Sequence, residues 1–587
     1  MQRIVNEFSW KIGGEAGFGI MSTGATFAKT CVRAGLFAVD YSEYPSLIRG
    51  GHNTYQVTVA PRPLTAHRTE VNILVALNKA TIDRHLDELT PGAAVIYDTS
   101  DLTLKHFSPE NVARRDLRWH GLDLETLTRA AGGEKYMRNT IALGATFALL
   151  SIDVKVPAAV LTETFTSKGP AVVAKNIKLL TAGYDAISPA ERKTFPWDLA
   201  PLPKPPRRYF MTGNEALAVG AIQARCLFYA AYPMTPASSI LSFLAKHGPD
   251  YGMVVRHAED EIGVINETVG AAYAGVRAMC ATAGGGFSLM TEAIGMAGAA
   301  EVGIVVIEAQ RGGPSTGLPT WTEQADLRQV LHASQGDFLK IVLAPSNPAE
   351  CYSLIQQAFN LAERYQTPVI VMTDKYLAEG HWTIETLPAP PPIDRGKIVQ
   401  PEDVPGEQRF LRYDPDVADG ISPRTLPGMP DGMFLANTDE HEPTGFTSEE
   451  INDRVAQMDK RARKETALAK EVPVPKLIGP TKADLTIVSW GSSIGPVVEA
   501  VRMLDEIHHL RANILPITWV NPFPVQAVTE MLNAAHLTVM VEANQSGQMA
   551  GWIRQQTGLE VDHHLRRYDG RPFDPRQLAA QLKQLIA

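Results

Sequence analysis

Residues 277–310 read RAMCATAGGGFSLMTEAIGMAGAAEVGIVVIEAQ, and their order decides the fold. Two short apolar runs, RAMCATA and VGIVVIEA, flank a stretch of helical length that opens on three glycines. Runs that are apolar at successive positions, rather than at alternate ones, are strands buried on both faces. Strand, helix and strand in succession make a parallel pair joined by a crossover. Outward from this unit, CLFYAAYP, MVVRHAE, LKIVLA and PVIVMTD repeat the pattern, so residues 209–380 read as a doubly wound parallel sheet. Further on, DLTIVSWGSS, ILPITW and LTVMVEAN alternate with helical segments around 497–507 and 525–535, which gives another α/β domain at 481–587. Toward the start, SWKIGG, TYQVTVA, NILVAL and AAVIYDT read as strands, and 22–34 and 139–150 as helices, so 1–187 is a third, more mixed α/β region.

Proline separates these regions. Pro189, Pro196, Pro201, Pro203, Pro205 and Pro206 crowd residues 188–208, and proline's fixed φ and missing donor suit a connector. A longer arm, 381–480, ends in a charged helical segment at 448–470, whose surface is solvated or packed across a neighbour. A chain of 587 residues is too long for a single core, and 45% hydrophobic with 20% charged residues is globular usage. Acidic residues outnumber basic ones, 64 to 55, so no global basic field draws the chain to nucleic acid or anionic lipid. Cys31, Cys226, Cys280 and Cys351 form no CxxC and no metal-like cluster, which argues against a metal or iron–sulfur site in this chain and fits a reducing compartment. With no run of 18 apolar residues and no basic-then-apolar start, the expectation is a soluble, cytoplasmic protein.

Open α/β sheets bind ligands beyond the C-terminal ends of their strands. Four loops of the middle region belong there: Tyr232-Pro233-Met234-Thr235-Pro236, His257-Ala258-Glu259-Asp260-Glu261, Thr282-Ala283-Gly284-Gly285-Gly286-Phe287 and Gln310-Arg311-Gly312-Gly313-Pro314-Ser315-Thr316-Gly317. Singly, each has an ordinary structural use: Thr235 can cap a helix, the acidic run can complement a helix dipole, Arg311 can pair with a surface acid. Together they make a site of mixed polarity. Glu261 precedes Ile262, Val264 and Ile265, so it is the acid expected to face an apolar interior, with Glu259 and Asp260 solvated. In the first region Gly13, Gly14, Gly17 and Gly19 follow a strand in a GxxGxG spacing that is not the dinucleotide fingerprint, and they serve either a tight turn or an anion. Arg49-Gly50-Gly51-His52 is either a surface turn or a contact for an anionic ligand or a neighbouring domain.

In these motifs the chain resembles the 2-oxoacid:ferredoxin oxidoreductases, specifically the α subunit with a γ-like domain fused ahead of it. Val541-Glu542-Ala543-Asn544-Gln545-Ser546-Gly547-Gln548 in the last region, and the glycines and Arg49-Gly50-Gly51 of the first, extend the resemblance over most of the chain. It implies that the middle domain is a pyrimidine-binding domain for thiamine diphosphate and that the last is similar to the transketolase C-terminal domain. It also implies a β subunit carrying magnesium and a [4Fe–4S] cluster, with ferredoxin as electron acceptor and coenzyme A as co-substrate, in an (αβ)2 heterotetramer. Consistent with half a site, no GDG followed by a distant Asn occurs here. Carried over residue by residue, the resemblance gives Glu261 the pyrimidine nitrogen and acid–base work. Thr235 and Arg311 receive the 2-oxoacid, and Tyr232, Pro233, Gly284, Gly285, Gly286 and Phe287 line the cofactor. Gly14, Gly17, Gly19 and Arg49 form a loop toward coenzyme A or another domain. Met234 and the unbroken glycine run depart from the family's usual Ile and Ser or Pro. The implied substrate is 2-oxoglutarate, with pyruvate or a branched 2-oxoacid as alternatives; a nucleotide-sensing or scaffold protein without chemistry is the alternative of another class.

Overall fold

An antiparallel hairpin and a series of parallel crossovers share one sheet in the N-terminal part of the chain. The computed structural model describes residues 3–47, 50–404 and 409–586. They divide into two compact units, the first made of 1–211 with 380–386 and 574–576, the second of the remainder.

In the first unit β1 (Phe8–Glu15) pairs antiparallel with β3 (His52–Ala60), and β3 with β2 (Phe37–Glu43). On its other side β1 runs parallel to β4 (Val71–Ala76), followed by β5 (Leu89–Asp98) and β6 (Arg118–Leu122). The strand His381–Ile384 joins β2, and β7 (Tyr209–Thr212) ends the eight-stranded sheet. Helices α1 (Ile20–Arg33) and α2 (Arg138–Leu149) contribute to its core, where Phe27 stacks on Trp10 and Phe147 at centroid distances of 4.4 and 5.4 Å. Every residue of α2 is buried, which is why its sequence shows so little polar stripe.

The expected four-glycine loop is shorter than its motif. Gly13 and Gly14 lie within β1, opposite Thr54 and Asn53, and a Cβ on Gly13 would come within 2.6 Å of the Thr81 methyl. Close packing is therefore the reason for Gly13, and Gly14 belongs to a strand and not to a ligand loop. Gly17 and Gly19 do form the turn into α1, with φ of +92° and +68°. Arg49 lies outside the described residues, while Gly50 and Gly51 turn the chain from β2 into β3.

The second unit holds two parallel sheets. The first has the order β9 (Val254–His257), β8 (Cys226–Ala231), β10 (Arg277–Thr282), β11 (Val305–Gln310), β13 (Val369–Asp374), β12 (Ile341–Leu343). Between its strands run α3 (Glu261–Tyr273) and the glycine-opened α4 (Gly284–Ala299). α5 (Ile451–Ala469) is the helix of the arm, and it buries Lys460 and Lys464 against Glu301. The last region contributes β14 (Leu485–Trp490), β15 (Ala512–Ile517), β17 (Thr538–Glu542) and β18 (His563–Arg566), in the order β15-β14-β17-β18. Between them, β16 (Trp519–Asn521) crosses to the first sheet and pairs antiparallel with β12. The apolar core is continuous across both sheets: Phe287, Met290 and Val306 pack in the same cluster as Val488, Trp490 and Ile517. Among the described residues no helix is long and apolar enough to cross a membrane.

Candidate active site

The order β9-β8-β10-β11 makes four strand ends immediate neighbours, so the four loops read from the sequence do crowd one edge. Asp260 and Glu261 divide the work at the start of α3. Asp260 is exposed and is the N-cap, its carboxylate accepting from the Gly263 N–H at 2.8 Å. Glu261, the next residue, is only 4% exposed, and its Oε1 is buried without a hydrogen-bond partner among the described residues. A buried acceptor left open in this way is costly unless something else satisfies it. The carboxyl lies against the first turn of α4: a Cβ on Gly286 would sit 2.5 Å from Glu261 Oε1 and 2.1 Å from Thr282 Oγ1. Only glycine lets the carboxyl approach the helix N-terminus there, where unpaired amide groups favour negative charge.

Arg311 leaves the end of β11 and donates from Nη1 to the Thr235 carbonyl, 2.8 Å away, in the loop after β8. Those strands flank β10, so the side chain spans about 10 Å over its end. The structure thus brings Thr235 and Arg311 together, through the threonine's main chain. Arg311 Nε is buried without a partner among the described residues, and burial lowers its pKa while Asp326 opposes that shift. Tyr232 is 40% exposed, with its ring 6.4 Å from that of His257, and Pro233 is exposed beside it. Phe287 requires a correction. Its side chain is wholly buried in the shared core, so it anchors α4 and offers no surface to a cofactor.

A cavity of about 440 Å³ lies at this edge, lined by Gly284, Gly285, Arg311 and Asp326 on one side and by Asn544 and Gln545 on the other. The second wall is the strand-end motif of the last region. There Glu542 accepts from the Met549 and Ala550 N–H groups at the start of α6 (Gln548–Thr557), and from Asn544 Nδ2. Asn544 Nδ2 also donates to the Gln324 carbonyl, while Gln324 Nε2 donates to the Trp490 carbonyl and its Oε1 accepts from Ser493 Oγ and the Ala543 N–H. The motif therefore fastens one cavity wall to the other. Sequence reading missed Gln324, Asp326 and Glu308. For Glu308 a signal existed, since an acid inside a strand buried on both faces must be paired or neutral.

The chain matches a family model described as pyruvate flavodoxin/ferredoxin oxidoreductase, thiamine diphosphate-binding, over residues 219–460, and one described as pyruvate ferredoxin/flavodoxin oxidoreductase over 9–186. It is 31% identical to the 2-oxoacid:ferredoxin oxidoreductase subunit alpha of a Sulfolobus species, across 98% of this chain and 97% of that one. It is 32% identical to the 2-oxoglutarate oxidoreductase subunit KorA of Mycobacterium tuberculosis, across 94% and 87%. Among solved structures, the 2-oxoglutarate:ferredoxin oxidoreductase of Magnetococcus marinus, with 2-oxoglutarate, coenzyme A and succinyl-CoA bound, superposes with a TM-score of 0.90 at 31% identity, covering 99% of this chain and 100% of that one. These matches define the class, an oxidoreductase subunit built of α/β domains. The chain belongs to the family of 2-oxoacid:ferredoxin oxidoreductase α subunits.

Proposed function

We propose that this chain is the α subunit of a thiamine-diphosphate-dependent 2-oxoglutarate:ferredoxin oxidoreductase. The reaction converts 2-oxoglutarate and coenzyme A to succinyl-CoA and carbon dioxide, with two electrons leaving singly to ferredoxin, and it is reversible as reductive carboxylation. The observation that carries the reading is the buried, unsatisfied Oε1 of Glu261 beside Gly286. A carboxyl in that setting fits a heteroaromatic ring nitrogen, the kind of partner a thiamine pyrimidine offers, and Gly284 to Gly286 leave room for a ring close to the backbone. When bound, thiamine diphosphate supplies the electron sink for breaking the bond between the 2-oxo carbon and its carboxylate.

The chain's own residues do the rest of its share. Glu261 holds a proton at the ring nitrogen and passes it back. Arg311 orients the 2-oxoacid carboxylate by paired N–H donation, braced by its bond to the Thr235 carbonyl. Tyr232 and Pro233 shape the open side, and Gly17 and Gly19 in the first unit form a turn toward coenzyme A or another domain. A β subunit supplies magnesium, the diphosphate site and the [4Fe–4S] cluster in a cytoplasmic (αβ)2 assembly. The relatives named for 2-oxoglutarate, and the Magnetococcus structure that holds it, support this substrate over pyruvate or a branched 2-oxoacid.

The test is anaerobic purification from native cells, followed by an assay of dye reduction that depends on 2-oxoglutarate and coenzyme A. A co-eluting iron–sulfur subunit and thiamine-dependent activity are expected. A lone chain without iron, thiamine or activity overturns the enzyme reading, and a preference for pyruvate in competition overturns the substrate.

A further inference from the structure

Behind the cavity wall lies a second acidic group that the reaction as described does not use. Glu308, near the C-terminal end of β11, is wholly buried, and neither carboxyl oxygen has a partner at good hydrogen-bond geometry among the described residues. It faces the Asp326 carboxyl closely enough for the two to share a hydrogen. Asp326 in turn lines the cavity with Arg311 and packs on the glycine run, its Oδ2 lying 2.5 Å from where a Cβ on Gly284 would be. Its N–H donates to Gln310 Oε1 at 3.1 Å, which fixes the start of the next helical turn over the strand end.

The charged neighbours of the pair come from three elements. Arg311 faces Asp326 from the end of β11, Asp374 faces Glu308 from β13, and Glu323 approaches Asp326 along its own loop. Burial pushes Glu308 well above the usual carboxylate range, with Asp326 and Asp374 adding to it. Burial raises Asp326 too, against the hydrogen bond from Glu308 and the charge of Arg311. Glu308 is wholly buried and Asp326 half-buried at the cavity, and interacting carboxyls of this kind titrate as a pair and do not both ionise readily.

An anion seated on Arg311 meets whatever charge Asp326 carries, because both side chains line the same cavity. We propose that Asp326, backed by Glu308, couples capture of the substrate anion in this cavity to uptake of one proton from solvent. An O–H bond forms on the pair as the anion arrives, no electron moves, and the proton leaves when the anion does. Asp326 is thus a positioning residue whose neutral form admits the substrate, and the inference rests on the reading of the cavity as the 2-oxoacid site.

The probe is N-oxalylglycine, an isostere of 2-oxoglutarate, titrated calorimetrically into the assembled holoenzyme between pH 6 and 9 in buffers of different ionisation enthalpy. Proton uptake should climb with pH toward about one per ligand, and the KM for 2-oxoglutarate should rise toward tenfold per pH unit above the pair's titration. Asp326→Asn should abolish the uptake and flatten the KM profile, and Glu308→Gln should shift the pH at which uptake sets in. Uptake absent from the wild type at every pH, or unchanged in Asp326→Asn, overturns the proposal even in an enzyme fully active on 2-oxoglutarate. If Asp326→Asn does not fold, Glu308→Gln with a wild-type uptake curve overturns it equally. An enzyme that neither binds the isostere nor oxidises any 2-oxoacid removes the functional reading itself.

Discussion

Glu301 and Glu308 are both wholly or almost wholly buried, one just ahead of β11 and the other inside it, yet their surroundings are opposite. Glu301, just ahead of β11, is paired with Lys460 and Lys464 of α5, and Arg412 adds to the positive field. Burial raises its carboxyl, but the lysines outweigh that and hold it well below the usual range. Glu308, within the strand, has acids for neighbours and is raised. Glu301 thus has the cations of α5 beside it, whereas the groups acting on Glu308 are acids, and the cation at that edge, Arg311, acts on Asp326 instead. Unlike partners dominate the perturbation of Glu301, and burial with like charge that of Glu308.

That contrast can be broken in order of expected effect. Glu301→Gln strands two buried lysines, and it should lower stability by about 3–5 kcal/mol in a urea melt while leaving the KM of whatever folds unchanged. A loss below about 1 kcal/mol would show that the cluster is no brace. Glu261→Gln should instead lower turnover at least about a hundredfold with assembly and melting intact, the scale of lost acid–base function. Near-normal turnover removes Glu261 from the chemistry. Arg311→Lys should cut kcat/KM about tenfold, because an ammonium cannot reproduce the planar two-point contact with a carboxylate. Unchanged kcat/KM excludes it. In the wild type, the Glu301 contribution is fully present above the unfolded carboxyl's value of 4.5 and is lost as pH falls toward the depressed folded value. Stability that falls with acid equally in Glu301→Gln would assign the acid sensitivity to other carboxyls.

The edge formed by the four strand-end loops was legible because its signals are local. Consecutive apolar runs, a glycine triplet opening a helix and an acid ahead of Ile262 each state their own structure. What escaped was set by partners distant in sequence. Gly13 and Gly14 look like loop residues until β3 is laid beside them, and His381–Ile384 becomes a strand only by joining β2. β18 alternates between half-buried and exposed positions at a sheet edge and carries little apolar signal. Phe287 follows the glycines as a cofactor residue would, and only the neighbouring sheet reveals that it points inward. Asp326 acquires meaning from Glu308, and Gln324 from a loop more than two hundred residues away.

The crossing strand β16 bears on how this protein comes apart. It pairs with β12 beneath a core common to both sheets, so the walls of the cavity are stitched together independently of the arm that connects them in the chain. A protease that nicks the arm would leave two fragments that still migrate as one. Splitting the gene there should yield halves that reassemble when co-expressed, and neither half should survive alone.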